Sequence, residues 1–466
     1  VAGYWPLVGL LRAGAPATDL VAHLPTALAA LGVLFLTFRM ARRIAGVEAG
    51  WVAVVVLQCT VGFLGLNWRV LVDPLLCLWV TLALHGALFA VSDPEQRGRH
   101  LAVFYAAMGA AVLTKGLVGL ALPAAVALVF LAVSRQLVLL PRIVFHPALL
   151  AFVAPIAAWL LGLAAAEGTP ALGEVWRQSI TRALSSGADH AAPPWFYLEP
   201  VAYLTLPGLL IVPYVVRDVL CPRAHRRVRL HGPFDLFGPV WFATMLGVLS
   251  LASAKRNIYL GPIYPGLALA LATWWARARQ QAPDARTPRW LSAAVAARPR
   301  AQASALLAFA MLYLAFNVAV ESPASRANAP SRIFALATAA QSRNQGSQVL
   351  FAGVPRESLA GAAVYYLGRT VPMVDSLDQL DALSSRRVSV LVGTDRAVDP
   401  MLRTLAYGRL AGLRTSTLGR DDYRIATVRP PDVAQVSTES RTEPRSRSTS
   451  RQTGELSGAS DLREGG

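Results

Sequence analysis

Ten apolar runs free of Asp, Glu, Lys and Arg limit what this chain can become: Ala22–Phe38, Trp51–Leu66, Pro74–Val91, Leu101–Thr114, Gly116–Ser134, Pro147–Ala166, Val201–Val216, Leu236–Ala254, Ile258–Ala276 and Ala301–Val320. A soluble fold would have to bury all of them. Only 15% of the 466 residues are charged and 55% are hydrophobic, whereas soluble domains are about a quarter charged. The runs therefore predict a polytopic helix bundle in a membrane. A straight span takes about 20 apolar residues, so the shorter runs imply tilted or kinked helices. Pro123, Pro155, Pro207, Pro262 and Pro265 inside runs suit kinked helices packed in a bundle.

The net charge of +17 does not point to nucleic acid, because the arginines cluster in short loops between the runs. Cytoplasmic loops of membrane proteins have that pattern. If Arg39, Arg42 and Arg43 are cytoplasmic, strict alternation places 18 Lys and Arg on that side, up to Arg300. The opposite loops hold seven: Arg12, Arg69, Lys115, Arg177, Arg182, Lys255 and Arg256. The loop Trp176–Pro200, WRQSITRALSSGADHAAPPWFYLEP, then faces outward, with the polar room for a site. Cys59 and Cys77 lie in apolar runs and Cys221 in an Arg-rich loop, an arrangement that gives no disulfide framework.

After Val320 the pattern changes. Ser347–Phe351, Val388–Gly393, Gly412–Leu418 and Tyr423–Val428 read as strands, with helices at Glu357–Gly368 and Pro400–Tyr407. This predicts a transmembrane domain over 1–320, a small extracytoplasmic α/β domain over 331–430 and a disordered tail over 431–466, poor in apolar residues. The carboxylates in VDSLDQLD and GRDDYR read as solvated or capping residues of that outer domain. No fixed-period repeat is found.

The only two lysines, Lys115 and Lys255, both fall on the outer side at junctions between apolar runs. Each reads either as a snorkelling side chain at a helix end or as a cation held at the membrane surface for an anionic group. Lys115 in LTKGLVG marks a turn, since 34 residues from Leu101 to Ser134 must leave and return to one side. Lys255 is followed by Arg256 and, four residues on, Tyr259, two cations and a phenol that suit a lipid-linked phosphate. Arg69 and Asp73, four apart, read as an intrahelical ion pair or as site residues. Trp195, Phe196 and Tyr197 read as an interfacial belt or as a wall against a ligand. His190, with no partners at metal-ligand spacing, has no metal site around it.

VAGYWP at the start, RVLVDPLL at 69–76, LTKGLVG at 113–119, ITRALSSGADHAAPPWFY at 180–197 and AKRNIYL at 254–260 stand in the order found in a known family. The chain resembles the lipid A aminoarabinose transferases, within the GT-C glycosyltransferases that also include protein O-mannosyltransferases. The resemblance implies a GT-C type bundle that inverts by direct displacement, moving a sugar from a polyprenyl phosphate to an acceptor at the outer face of the plasma (inner) membrane. Lipid A-like lipid is the expected acceptor and protein the alternative. A non-catalytic carrier or transporter would instead show inverted repeats.

By position, the resemblance implies that Arg182, Lys255 and Tyr259 hold the donor phosphate and that His190 lines the same cavity, with Arg256, Lys115, Arg69 and Asp73 as further substrate-binding candidates. Fixed cations there would stabilise the charge that grows on the leaving phosphate. The family's first helix, acidic catalytic loop and Lys-Pro-type motif are expected before Val1. The general base is thus expected upstream and the chain alone is expected to be inactive. Ser179 stands where such enzymes often place a metal-associated histidine. No cofactor is fixed by the resemblance, and a divalent metal is left open.

Overall fold

The apolar runs fold as helices. The computed structural model describes residues 2–67, 70–173, 175–176, 192–220, 232–281 and, with short breaks, 330–430, together with 308, 311, 312 and 315. Two compact units divide the chain, Val1–Pro323 and Ala324–Gly466.

In the first unit the helices are α1 (Trp5–Arg12), α2 (Asp19–Ala45), α3 (Val47–Cys59), α4 (Val61–Asn67), α5 (Asp73–Ser92), α6 (Arg97–Lys115), α7 (Val118–Val133), α8 (Leu140–Val144), α9 (Leu150–Glu167), α10 (Leu198–Leu204), α11 (Val212–Leu220), α12 (Phe237–Leu251) and α13 (Tyr264–Gln281). Among the described residues four helices are long and apolar enough to cross a membrane, Leu20–Ala45, Asp73–Ser92, Pro147–Glu167 and Pro233–Leu251. A fifth span results if α3 and α4, bent by 67° at their junction, count together. The protein is a multi-pass membrane protein.

Two runs expected as single spans are broken. At Thr60 the hydroxyl turns back onto the Val56 carbonyl at 2.7 Å, and the next amide, Val61, donates to Leu206 at 3.1 Å instead of continuing a helix. The run Val201–Val216 splits into α10, a 3₁₀ turn at Gly208–Leu210 and α11. Pro207 and Pro213 lack the amide protons that a continuous ladder needs. The tenth run, Ala301–Val320, lies outside the described residues apart from four positions.

α5 and α6 form an antiparallel hairpin through the four-residue connection 93–96. They touch at Gly86, where a Cβ would stand 2.7 Å from the Phe104 amide nitrogen, so only glycine permits the crossing. The core beneath joins Leu76, Val80, Leu84 and Leu88 of α5 to Phe130, Trp241 and Tyr264 of later helices. Cys59 and Cys77 are free thiols in this interior.

The second unit is a five-stranded mixed sheet of order β2-β1-β3-β5-β4. Its strands are β1 (Gln348–Ala352), β2 (Met373–Val374), β3 (Ser389–Thr394), β4 (Leu410–Leu418) and β5 (Asp421–Val428). β1 runs parallel to β2 and β3, and β5 is antiparallel to β3 and β4. Helices α14 (Pro330–Arg343), α15 (Glu357–Leu367), α16 (Leu377–Ser384) and α17 (Asp395–Thr404) complete it. The four expected strands are present; β2, α14 and α16 were not expected. Asp381 of VDSLDQLD differs from a merely solvated carboxylate: both its oxygens accept from Arg409, at 2.5 and 3.2 Å. The segment 431–466, expected as a disordered tail, lies outside the described residues.

Candidate anion-binding site

The start of α5 and the end of α6 lie at the same end of the hairpin. Asp73 opens α5, followed by Pro74, and is 4% exposed. Lys115 closes α6, and Gly116, with φ +75°, turns the chain out of the helix. The ammonium of Lys115 donates to the Asp73 carboxylate across 42 residues of sequence. An acid at a helix N-terminus and a base at a C-terminus are also the charges that the two helix dipoles favour. Asp73 is thus a partner in an interhelical pair. The expected Arg69–Asp73 pair falls on Arg69, which lies outside the described residues.

Tyr259 completes the cluster. It sits in the 3₁₀ segment Asn257–Ile263, which packs on the start of α5 through Cys77 Sγ and the Gly261 carbonyl at 3.5 Å. The Lys115 ammonium lies 4.4 Å from the centre of the Tyr259 ring, a cation–π contact. Lys115 is thus a cation positioned by a carboxylate and an aromatic ring. Asp73 is its hydrogen-bond acceptor among the described residues, and its side chain keeps 24% exposure. An ammonium carries three donors, so it can meet a second anion without leaving the first.

The other lysine is used differently. Lys255 is buried, and its ammonium donates to the backbone carbonyls of Ala192, at 2.8 Å, and of Ala252. Ala192 returns an amide bond to Ser253 at 3.3 Å. The described end of the loop Trp176–Pro200 is fastened in this way to the AKRNIYL turn. Tyr197 adds a donation to the Arg256 carbonyl at 3.4 Å, and Asn257 donates to the Tyr203 hydroxyl at 3.0 Å. Burial pushes the Tyr197 phenol up to about 12. Of the expected aromatic belt, Trp195 is exposed, but Tyr197 is a core residue, 1% exposed.

Among the sequence candidates, then, Asp73, Lys115 and Tyr259 come together, and the Lys255 turn carries Arg256, exposed, and Tyr259. Arg182, His190 and Ser179 lie outside the described residues. Among those described, no three His, Cys, Asp or Glu side chains gather as a metal site. Sequence reasoning treated Asp73 and Lys115 singly; equal helix lengths on either side of a short turn were the available sign that they meet.

The fold of this chain is shared with a solved structure: ArnT from Cupriavidus metallidurans bound to undecaprenyl phosphate aligns with a TM-score of 0.67 at 19% identity, covering 92% of this chain and 88% of that one. The apo form of the same protein aligns at 0.66. The family of dolichyl-phosphate-mannose-protein mannosyltransferases matches residues 12–161. An undecaprenyl phosphate-alpha-4-amino-4-deoxy-L-arabinose arabinosyl transferase of Shewanella sediminis is 29% identical over 249 residues, 53% of this chain and 44% of that protein. The Pectobacterium atrosepticum counterpart is 32% identical over 214 residues, 45% and 37% of the two chains. The chain is homologous to these aminoarabinose transferases over about half of its length and has the fold of ArnT. It spans about half the length of the curated relatives it matches.

Proposed function

We propose that this protein transfers a glycosyl group from a polyprenyl-phosphate sugar to a lipid acceptor of the lipid A type, and that Lys115 receives the donor phosphate. The observation that carries this reading is the Lys115 ammonium, held by Asp73 and faced by Tyr259, with donors to spare. Removing one charged hydrogen bond to a ligand costs about 1.5–3 kcal/mol, or roughly 10- to 100-fold in affinity. Asp73 orients the cation, and Tyr259 presents a phenol to the same space. Lys255 stabilises the turn that carries Arg256 and Tyr259, through the Ala192 and Ala252 carbonyls. The resemblance adds Arg182 for the donor phosphate and His190 for the lining of its cavity, with Arg69 as a further substrate-binding candidate. The outer face of the plasma membrane follows from the arginine distribution, and with it an extracytoplasmic second unit.

The test is titration of the purified chain with undecaprenyl phosphate. Wild-type binding that falls 10- to 100-fold in Lys115→Met supports the site, and equal binding by the two chains refutes it. The match to mannosyltransferases that act on protein favours a second reading, a protein acceptor. Analysis of lipid and protein glycosylation in membranes with and without the gene separates the two.

A further inference from the structure

The opposite end of the same helices carries a second concentration of polar chemistry that the donor site does not use. Arg39, near the end of α2, is exposed and has no carboxylate partner among the described residues; its guanidinium lies 5.8 Å over the ring of Phe35 and 5.8 Å over that of Phe89 on α5. Beneath Phe89, stacked at 4.3 Å, is His85, 7% exposed, with neither ring nitrogen hydrogen-bonded. Two turns further along the same face of α5, the buried hydroxyl of Ser92 is likewise unpartnered, while the Ser92 carbonyl accepts from Arg43 at 2.8 Å. The nearby carboxylate, Asp93, faces His100 of α6 at 3.5 Å. Buried polar atoms are rarely left unmatched, and here three sit beside an unpaired arginine.

The approach to this cluster is apolar. Leu24, Leu28, Leu31 and Phe35 stand exposed along α2 and lead directly to Arg39. From Leu24 to Phe35 is about 16 Å at 1.5 Å per residue, close to the depth of one leaflet's hydrocarbon, about 15 Å. An apolar strip one leaflet deep that ends in a cation fits an acyl chain beneath a headgroup. The excess of arginine, with Arg42 and Arg43 exposed beside Arg39, selects a headgroup with net negative charge. This is also the end that the arginine distribution places at the cytoplasmic leaflet, where anionic lipids attract basic segments.

We propose that this end of the bundle is a binding site for an anionic phospholipid, its phosphodiester held by Arg39 and one acyl chain lying along the α2 strip. The phosphate oxygens accept from the guanidinium, and the phosphate's hydration water supplies the missing partners of His85 and Ser92, which stand about 10 Å apart along α5.

The test is native mass spectrometry of the full chain in detergent, with equimolar phosphatidylglycerol and phosphatidylcholine of the same acyl chains. Wild type is expected to retain phosphatidylglycerol about fivefold over phosphatidylcholine, the preference worth roughly one basic residue at the membrane surface. Arg39→Gln is expected to remove that preference, and Arg142→Gln, on exposed α8, to leave it in place. His85→Leu changes no surface arginine and is expected to lower retention of both lipids severalfold, since each carries the phosphodiester, while leaving the preference in place. Equal retention of the two lipids by wild type overturns the proposal. So does an effect of Arg142→Gln as large as that of Arg39→Gln, or undiminished phosphatidylglycerol retention in His85→Leu.

Discussion

Among the described residues, two of the ion pairs between neighbouring antiparallel helices each span 42 residues, at opposite ends of the bundle. Asp73 and Lys115 close the α5–α6 hairpin; Asp235 and Arg277 tie the start of α12 to the end of α13. Both set an acid at a helix start and a base near a helix end. At the second pair every nitrogen of the guanidinium is engaged: Nε and Nη2 meet the two Asp235 oxygens at 3.2 and 3.0 Å, Nη2 also reaches the Ile44 carbonyl, and Nη1 reaches Gln280. Asp235 also caps the Gly232 amide at 3.2 Å. That pair is complete and acts as a staple. Among the described residues the Lys115 pair has one acceptor, an aromatic face and solvent access, and so can still bind. Arginine's planar fork suits the first task and the compact ammonium the second.

The comparison breaks if the two pairs respond alike to substitution. The largest expected effect is on turnover in membranes that express the complete gene: Lys115→Met should lower transfer from a polyprenyl-phosphate sugar by about 10²–10³-fold, the usual worth of one preorganised donor at developing charge. Arg277→Met should leave the per-molecule rate within a few-fold in folded protein. Equal rate losses would show that Lys115 is only a second staple.

Stability should rank the other way. Asp235 is 2% exposed, and Asp235→Ala strands the Arg277 charge at the cost of about 3 kcal/mol. Thermal unfolding in detergent reads this directly, and a loss below that of Asp73→Ala would reverse the assignment.

How far these roles were legible in sequence depends on the kind of signal. Apolar runs located nine helical regions, because solvation in a membrane acts on composition over whole segments. They could not show the break at Thr60, which depends on one amide finding Leu206. The strands of the second unit were visible from their β-branched and apolar residues, but two-residue β2 is too short to have a pattern. Lys115 stood out through its rarity. Its partner did not, because a contact across 42 residues is set by the hairpin, with α5 of 20 residues and α6 of 19 bringing Asp73 level with Lys115. Lys255 was singled out for the same reason, yet its ammonium is turned onto carbonyls by a loop closure that no spacing rule anticipates.

The lysine end should also have the distinct alkaline response. Tyr197, buried against the Arg256 carbonyl, has its pKa raised to about 12 from an unfolded value near 10. Its folded state holds a proton that the unfolded chain releases first, so its contribution is intact below pH 10 and is lost as pH rises from 10 to 12. The slope across that window is about 1.4 kcal/mol per pH unit for one such group. Unfolding followed from pH 9 to 12 should fall less steeply in Tyr197→Phe than in wild type. Coincident curves would place the alkaline loss elsewhere.

The smallest effect tests how Lys115 is delivered. Gly116 leaves α6 with φ +75°, where a Cβ is disfavoured, although no atom lies within 4 Å of where one would stand. Gly116→Ala therefore costs backbone strain alone, about 1–3 kcal/mol, since φ +75° with ψ −152° is a region essentially reserved to glycine. If that strain is relieved by shifting the last turn of α6, Lys115 moves off Asp73 and Tyr259, and undecaprenyl phosphate affinity falls together with stability. If the turn holds, stability falls and affinity does not. Paired unfolding and binding measurements on this one variant thus show whether the ammonium is held by its helix or by its two partners, a question that cannot arise at Arg277, where four contacts fix the charge whatever the backbone does.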